Sequence, residues 1–207
     1  TYLALFGVPG IILIAVQLAA MPVLAAGIIN GLGHHTGYRN YECDNAATNI
    51  VPWGVLIGGE ELHNNHHAFP TSAKFSSQRW EFDLGWFYLR IFSALGLARI
   101  RRVAPQPLYA AERRKVDLET VRAVIMNRMH VLRDYTRHVT LPVLREEWSK
   151  RMPSFGFRRA ARKLLTLHPA LLDGQSHKRL TALLEESQVL NRVHEYRDRL
   201  LRQAAEF

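Results

Sequence analysis

The chain has 207 residues, 48% of them apolar, and a formal net charge of +9. Residues 1–98 contain 4 Lys or Arg and 6 Asp or Glu, whereas residues 99–207 contain 23 basic and 12 acidic residues. A basic charge confined to the second half does not support nucleic-acid binding by the whole protein, and we expect no nucleic-acid partner. The single cysteine, Cys43, excludes an intrachain disulfide and a cysteine-rich metal site.

The first segment, from Leu3 to Ile29, contains no charged residue over 27 positions. As an α-helix it would be about 40 Å long, against a hydrocarbon core of roughly 30 Å. Pro9 and Pro22 would break a soluble helix, but spanning helices tolerate proline where neighbours satisfy the backbone. We therefore predict a transmembrane helix over residues 2–30. The chain opens with Thr and no basic segment precedes the apolar run, so we expect a piece of a longer protein rather than a signal peptide.

The next elements alternate between polar and partly apolar stretches. Residues 36–49 are polar and turn-rich, which predicts an interfacial loop, and residues 50–67 predict a short, partly apolar helix. Residues 84–98 are too few to cross a bilayer, and their aromatic side chains favour a helix in the headgroup region. Basic clusters follow at Arg99–Arg102 and Glu112–Lys115, and such clusters mark the cytoplasmic side of a membrane.

From about Val116 onward, apolar residues recur at helical spacing and predict soluble amphipathic helices over residues 118–139 and 177–204. The tail histidines lie singly, so we expect them at the surface or at helix caps. The predicted fold class is all-α: an integral membrane helical part, residues 1–105, with one spanning helix and interfacial helices. A basic, cytoplasmic, soluble helical tail, residues 106–207, follows it.

Three histidines lie within five residues, at His63, His66 and His67. On a helix these positions share one face, as do Asn30 and His34 at the end of the predicted spanning helix. Clustered imidazoles would repel one another when protonated, whereas neutral imidazole is a ligand for iron, zinc, copper and nickel. The pattern therefore predicts a metal site formed by two helix ends. The absence of an H-E-x-x-H motif and of a nearby cysteine favours iron, with zinc as the alternative.

The segment from Asn30 to Pro105 resembles the C-terminal half of membrane fatty-acid desaturases, in particular the bacterial acyl-CoA delta-9 type related to animal stearoyl-CoA desaturase. It contains the family's third histidine box, HNxHH, at residues 63–67, and the downstream pair Arg79–Trp80. The transmembrane helix predicted over residues 2–30 would correspond to the family's last spanning segment. The resemblance implies an integral protein of the bacterial inner membrane, and the basic clusters predict that the histidine box lies on the cytoplasmic side.

The resemblance also assigns residues to a di-iron centre. The implied ligands are His34, His63, His66, His67 and, through water, Asn30. Glu60 would accept a hydrogen bond from a ligand imidazole and fix its tautomer. The family has two earlier histidine boxes, HxxxxH and HxxHH, whereas no histidine precedes Asn30 here. We therefore expect the 207 residues to be a fragment that is inactive on its own.

The implied reaction is the O2-dependent insertion of a cis double bond into an acyl chain, with iron carrying the oxidative chemistry. The substrate would be a fatty acyl-CoA or an acyl-lipid. Electrons would come from a ferredoxin-like or cytochrome-like donor protein with its reductase. Arg99–Arg102 would attract either an acidic donor protein or CoA phosphates, or would contact anionic lipid headgroups, which is the role we favour. Two alternatives remain: a membrane di-iron lipid hydroxylase, and a non-enzymatic membrane anchor whose basic tail binds lipid or nucleic acid.

Overall fold

The computed structural model describes residues 1–109, 116–151 and 154–205, so the predicted basic cluster at Glu112–Lys115 lies outside the described residues. Over the described ranges the chain is mostly helical, with a single pair of short strands, which confirms the predicted fold class. It divides into two compact units. Unit 1 comprises Thr1–Asn40 and Ala46–Val103, and unit 2 comprises Tyr41–Asn45 and Ala104–Phe207.

Unit 1 begins with a short helix, Tyr2–Phe6, which ends at Gly7 in the left-handed conformation (φ 61°). A second helix starts at Pro9, because proline lacks an amide hydrogen and is well suited to the first helical position. This helix, called here the apolar helix, runs over Pro9–His34 and is long and apolar enough to cross a membrane. The helix predicted over residues 2–30 is therefore divided at Gly7 and continues further, to His34.

The apolar helix changes its hydrogen-bond register after Pro22, which lies inside it and donates no backbone hydrogen bond. It consists of an α-helical, a π-helical and a 3₁₀ segment: Pro9–Pro22, Val23–Gly31 and Leu32–His34. Register changes of this kind often occur at functional positions. The tightened last turn ends at His34, one of the predicted metal ligands.

The segment from residue 50 to residue 62 is not helical, contrary to the prediction, and only His63–Ala68 forms a helix. Strand β1, Trp53–Gly54, pairs in parallel with strand β2, Phe82–Asp83. The turn that follows β1 has two consecutive glycines with φ angles of 66° and 110°, a conformation that no helix contains. Buried Glu61 holds this turn by accepting backbone amides at 2.6, 2.9 and 3.3 Å.

The helix predicted over residues 84–98 is present as Leu84–Ala94, called here the aromatic helix. Its N-cap is Asp83, whose Oδ1 accepts the Trp86 amide at 2.8 Å. The aromatic side chains of Phe87, Tyr88 and Phe92 are exposed on its surface.

Unit 2 is a set of short amphipathic helices around a leucine-rich core. Its α-helices are Leu118–Met126, Arg128–Tyr135, Leu141–Arg151, Phe155–Thr166, Gly174–Glu185 and Gln188–Ala205. A π-helical turn, Thr136–Thr140, and a 3₁₀ turn, Pro169–Leu171, complete it. The core contains Leu144, Ala161, Leu165, Leu180, Leu183 and Leu190. The two long helices that were predicted are broken at Asn127 and after Glu185, where polar residues interrupt the apolar face.

Unit 2 also contains a buried ion pair between Arg197 and Glu42, at 2.6 Å. The Thr136 hydroxyl donates to the same carboxylate at 2.5 Å, and Arg197 donates further to a backbone carbonyl at 3.1 Å. His130 and His194 are buried, contrary to the expected surface or cap positions. Burial is the main cause that lowers the pKa of both imidazoles.

Candidate metal centre

The helix His63–Ala68, called here the histidine helix, is only six residues long and is stabilised by its surroundings rather than by its own length. Leu62, fully buried, anchors its start, and the Leu62 carbonyl accepts the His66 amide at 3.0 Å. At its end the Phe69 amide donates to the Asn65 carbonyl at 3.1 Å. The i, i+3, i+4 spacing places the three histidines on one side of this helix.

Three of the predicted ligands converge. The Nε2 atom of His63 lies 3.0 Å from Nε2 of His34 and 3.1 Å from Nε2 of His67. The ligand atoms of these residues all lie within 4.8 Å of one another. Gly33 makes the approach possible, because a Cβ atom at that position would lie 3.3 Å from Cδ2 of the His63 ring. The end of the apolar helix and the start of the histidine helix thus form one cluster of imidazoles.

His66 lies at the edge of this cluster. Its ring centroid is 6.2 Å from that of His63 and 5.8 Å from that of His67, and it packs on Phe75 at 4.5 Å. Its Nδ1 atom is buried and has no hydrogen-bond partner among the described residues. The structure therefore brings together the side chains of His34, His63 and His67, whereas the His66 ring lies beside this cluster and not within it.

The two remaining predicted site residues differ in their position. The Glu60 carboxylate lies 3.7 Å from Nδ1 of His63, on the side of the ring that faces away from the cluster. The pKa of Glu60 is lowered, mainly by this neighbouring imidazole. At 3.7 Å the carboxylate is too far from Nδ1 for a normal hydrogen bond. Asn30 is exposed in the π-helical segment of the apolar helix, four residues before His34.

The electrostatics of the cluster fit a cation. The pKa of His67 is lowered to about 4, first by burial and then by the neighbouring imidazoles, so this ring is neutral near pH 7. A neutral imidazole has one donor and one acceptor nitrogen, so hydrogen bonds alone cannot pair three Nε2 atoms that face one another. A metal ion accepts a lone pair from each of them. Glu60, facing Nδ1 of His63, would keep the proton on that atom and leave Nε2 for the metal.

A polar network that the sequence analysis missed holds the histidine helix from its other side. Glu81 is buried at 8% exposure, and its carboxylate accepts five hydrogen bonds. The donors are the Tyr38 hydroxyl (2.7 Å), the Asn40 and Asn65 side chains (2.6 and 2.9 Å) and the Ser77 and Gln78 amides (2.6 and 2.9 Å). Asn65 belongs to the histidine helix, so Glu81 fixes the element that carries three of the imidazoles.

The second asparagine of the histidine helix is equally well bound. The Asn64 side chain accepts the Asn40 amide at 2.8 Å and donates to the Ala47 carbonyl at 3.1 Å. Asn49 exchanges two hydrogen bonds with Asn65, at 3.1 and 3.2 Å. No spacing rule in the sequence connects these residues. The available signal was the polar pair Asn64–Asn65 itself, since buried amides require partners.

Comparison with known proteins supports the resemblance that the sequence suggests. The chain is 42% identical over 71 residues to an sn-1 stearoyl-lipid 9-desaturase of Anabaena variabilis, which covers 34% of this chain and 26% of that protein. It is 35% identical over 100 residues to a delta-9 acyl-lipid desaturase of Arabidopsis thaliana, covering 48% of this chain and 31% of the relative. A Synechocystis sn-1 stearoyl-lipid 9-desaturase is 37% identical over 82 residues, covering 40% and 26%.

The match thus spans only about a quarter to a third of the length of these curated relatives. No family model matches the chain. No solved structure matches it either. The resemblance is nevertheless confirmed at 35–42% identity: the chain contains a segment homologous to the delta-9 fatty-acid desaturases.

Proposed function

We propose that this chain is part of a di-iron, O2-dependent membrane desaturase that introduces a cis double bond into a fatty-acyl chain. The observation that supports this most is the convergence of His34 with His63 and His67, since His34 and His63 are 29 residues apart in the sequence. The cluster lies in a chain that is similar to delta-9 desaturases over a third to half of its length.

The proposed ligands divide into two groups. His34, His63 and His67 would hold one iron ion through their Nε2 atoms, and His66 would contribute to the second ion. Asn30 would reach an iron through water, and Glu60 would support His63. Two irons require more imidazoles than the four in this group, so we expect the chain to need further histidines to support turnover.

Bound iron would supply the oxidising power to break unactivated C–H bonds, which no side-chain acid or base provides. The residues of this chain perform the remaining tasks. Burial keeps His67 neutral and able to ligate near pH 7. Glu60 orients the His63 ring, and the network around Glu81 holds the histidine helix in place. The position of the cluster at the end of the apolar helix would let an acyl chain reach it from the bilayer.

We further propose the membrane arrangement and the partners. The apolar helix would cross a bacterial inner membrane, and the basic residues Arg99–Arg102 would place the histidine helix on the cytoplasmic side. Residues 1–105 would form the membrane part and residues 106–207 a cytoplasmic tail. The substrate would be an acyl-lipid or an acyl-CoA, and a ferredoxin-like or cytochrome-like protein with its reductase would supply electrons.

The test measures bound iron. The chain is purified from iron-supplemented cells, and its metal content is determined by mass spectrometry for the wild type and for His63→Ala/His67→Ala. We expect the double variant to lose most of its iron. The control is His35→Ala, which removes an exposed imidazole next to His34. Equal iron in all three proteins, or zinc in place of iron in the wild type, would contradict the proposal.

The reaction type is tested in a chimera. The chain replaces the corresponding segment of the Anabaena relative, and the products formed from a stearoyl-lipid are identified by mass spectrometry. An alkene supports desaturation. An alcohol would instead assign the site to a membrane lipid hydroxylase.

A further inference from the structure

A groove of about 300 Å³ opens beside the histidine helix within unit 1. The groove is lined by His66, the loop Pro70–Ala73, Phe75, Leu89 of the aromatic helix and the basic segment Arg99–Arg102. The Ala73 amide donates to the Arg102 carbonyl at 3.0 Å, which ties the basic segment to the loop that follows the histidine helix. The groove thus joins a candidate metal ligand to a cationic rim.

The rim is positively charged. The side chains of Arg99, Arg101 and Arg102 are exposed. Within the part of the chain that the structure describes, they form no ion pair. The buried carboxylate of Asp83 accepts the amide of the groove residue Phe75 at 2.6 Å, and it also accepts the Ser76 and Trp86 amides at 3.1 and 2.8 Å. The rim is therefore available to an anionic ligand.

The groove adjoins an apolar surface of the kind found at the headgroup level of a bilayer. The aromatic helix supplies Leu89 to the groove and exposes Phe87, Tyr88 and Phe92. Leu95 and Leu97 follow, with exposures of 66% and 74%, immediately before the arginines. Aromatic and aliphatic side chains next to basic ones are typical of elements that lie at the membrane–water interface. A ligand bound here would have its charged part at the arginines and its apolar part beside these side chains.

The volume of the groove and the guanidinium groups of its rim restrict the class of ligand that it can bind. Guanidinium groups recognise phosphate through paired hydrogen bonds, more specifically than ammonium groups do. A volume of about 300 Å³ is at the lower end of the range of small-molecule sites, roughly 300–1,000 Å³, which suits one phosphate with a small alcohol rather than a whole nucleotide.

We propose that this groove binds the phosphate of a glycerophospholipid headgroup, with Arg101 and Arg102 as the main contacts. One part of this inference rests on the proposed function: if the chain belongs to a desaturase, the acyl carrier bound beside His66 is a phospholipid rather than coenzyme A. Headgroup binding itself requires no iron, so it is measured separately from the metal site.

The experiment uses the full chain in a neutral detergent, without added iron. Binding of dioctanoyl-phosphatidylglycerol, octanoyl-CoA and the uncharged dioctanoylglycerol is measured by thermophoresis for the wild type and for Arg101→Gln/Arg102→Gln. We expect the variant to bind phosphatidylglycerol at least ~10-fold more weakly, since each hydrogen bond to a charged group contributes a factor of this order. Binding of dioctanoylglycerol should stay unchanged.

Two further variants separate a specific site from general charge. Arg159→Gln/Arg162→Gln removes the same charge from exposed positions on the helix Phe155–Thr166 of unit 2 and should change phosphatidylglycerol affinity less than about 2-fold. Arg101→Lys/Arg102→Lys keeps the charge but not the paired hydrogen-bond geometry, and should have an intermediate affinity. Circular dichroism verifies that each variant is folded, and the lysine variant serves as the test if the glutamine variant is not.

The proposal is overturned if the groove and control variants lose affinity equally, or if neither changes it. It is also overturned if the arginines matter for octanoyl-CoA and not for phosphatidylglycerol. The variant His63→Ala/His67→Ala should keep wild-type phosphatidylglycerol affinity whether or not the chain binds iron. A failure of the iron site and a failure of the headgroup site therefore give different results.

Discussion

Replacing Glu81 by glutamine tests whether the polar network holds the histidine helix. The substitution keeps the size of the side chain but converts one acceptor oxygen into an NH2 group and removes the charge. In the wild type, Oε1 accepts the Tyr38 hydroxyl and the Asn40 amide group, and Oε2 accepts Asn65 and two backbone amides. The new NH2 group must face the donors on one of these sides.

The cost follows from the donors that lose their acceptor. The less damaging orientation places the NH2 group beside Tyr38 and Asn40, because the Tyr38 hydroxyl can rotate and accept from it. The Asn40 donor then loses its bond, and the bonds to the remaining oxygen lose their charge assistance. A hydrogen bond to a charged group contributes about 1.5–3 kcal/mol, so we expect a loss of about 2–5 kcal/mol in the free energy of unfolding. That is a large part of the ~5–15 kcal/mol typical of a whole domain.

The assay is thermal unfolding in detergent, followed by tryptophan fluorescence. Three of the four tryptophans, Trp53, Trp80 and Trp86, belong to unit 1, and Trp80 packs on Tyr38 at 5.2 Å. A Trp148→Phe background therefore makes the signal report on unit 1 alone.

In this background we expect Glu81→Gln to lower the unfolding temperature by about 10 °C or more, since 1 kcal/mol corresponds to roughly 4–8 °C for a domain of this size. The matched control, Glu185→Gln, changes an exposed carboxylate of unit 2 and should leave this signal unchanged. A shift within about 1 °C of the wild type would refute the structural role of Glu81.

Three further predictions concern the cluster and the tail. Gly33→Ala places a carbon 3.3 Å from Cδ2 of His63, so we expect less iron per chain by mass spectrometry while circular dichroism stays unchanged. Arg197→Met leaves the Glu42 carboxylate buried without the guanidinium that lies 2.6 Å from it, so thermal unfolding should show a loss of about 3–5 kcal/mol in the free energy of unfolding of unit 2. Adding Glu42→Gln to this variant should restore part of that loss. Burial lowers the pKa of His194, so its imidazole takes up a proton more readily in the unfolded chain than in the folded one. Unit 2 should therefore lose stability as the pH falls below about 6.5, the ordinary pKa of histidine. His194→Gln should make the unfolding temperature less dependent on pH in that range; an unaltered dependence would show that other groups cause it.

The parts of the molecule with a regular sequence pattern could be predicted. The apolar run predicts a helix because few other structures accommodate so long a segment without charged residues. The helices of unit 2 follow from the helical periodicity of their apolar residues. The common face of His63, His66 and His67 follows from their spacing. Local backbone chemistry decided the rest: Gly7 divides the first helix, and the paired glycines after Trp53 replace a predicted helix with a turn.

Other features depend on contacts between residues far apart in the sequence, for which a single sequence carries no spacing pattern that identifies the partners. Glu81 is 41 residues from Asn40 and 16 from Asn65, and neither separation corresponds to a helix or strand period. The burial of His194 did have a local signal, since it lies four residues after the buried Leu190 and therefore on the same face of its helix. His194 became buried because the helices of unit 2 pack around it.

The short sequence HNNHH performs two tasks because a helix has two sides. The histidines face the candidate metal site, while Asn64 and Asn65 bind the surrounding loops and Glu81. A helix of six residues has little stability of its own, so its position must come from these amides. A change on the asparagine side should therefore weaken metal binding while leaving every imidazole chemically intact. Loss of iron in Glu81→Gln, with all four histidines present, would be the direct sign of that coupling.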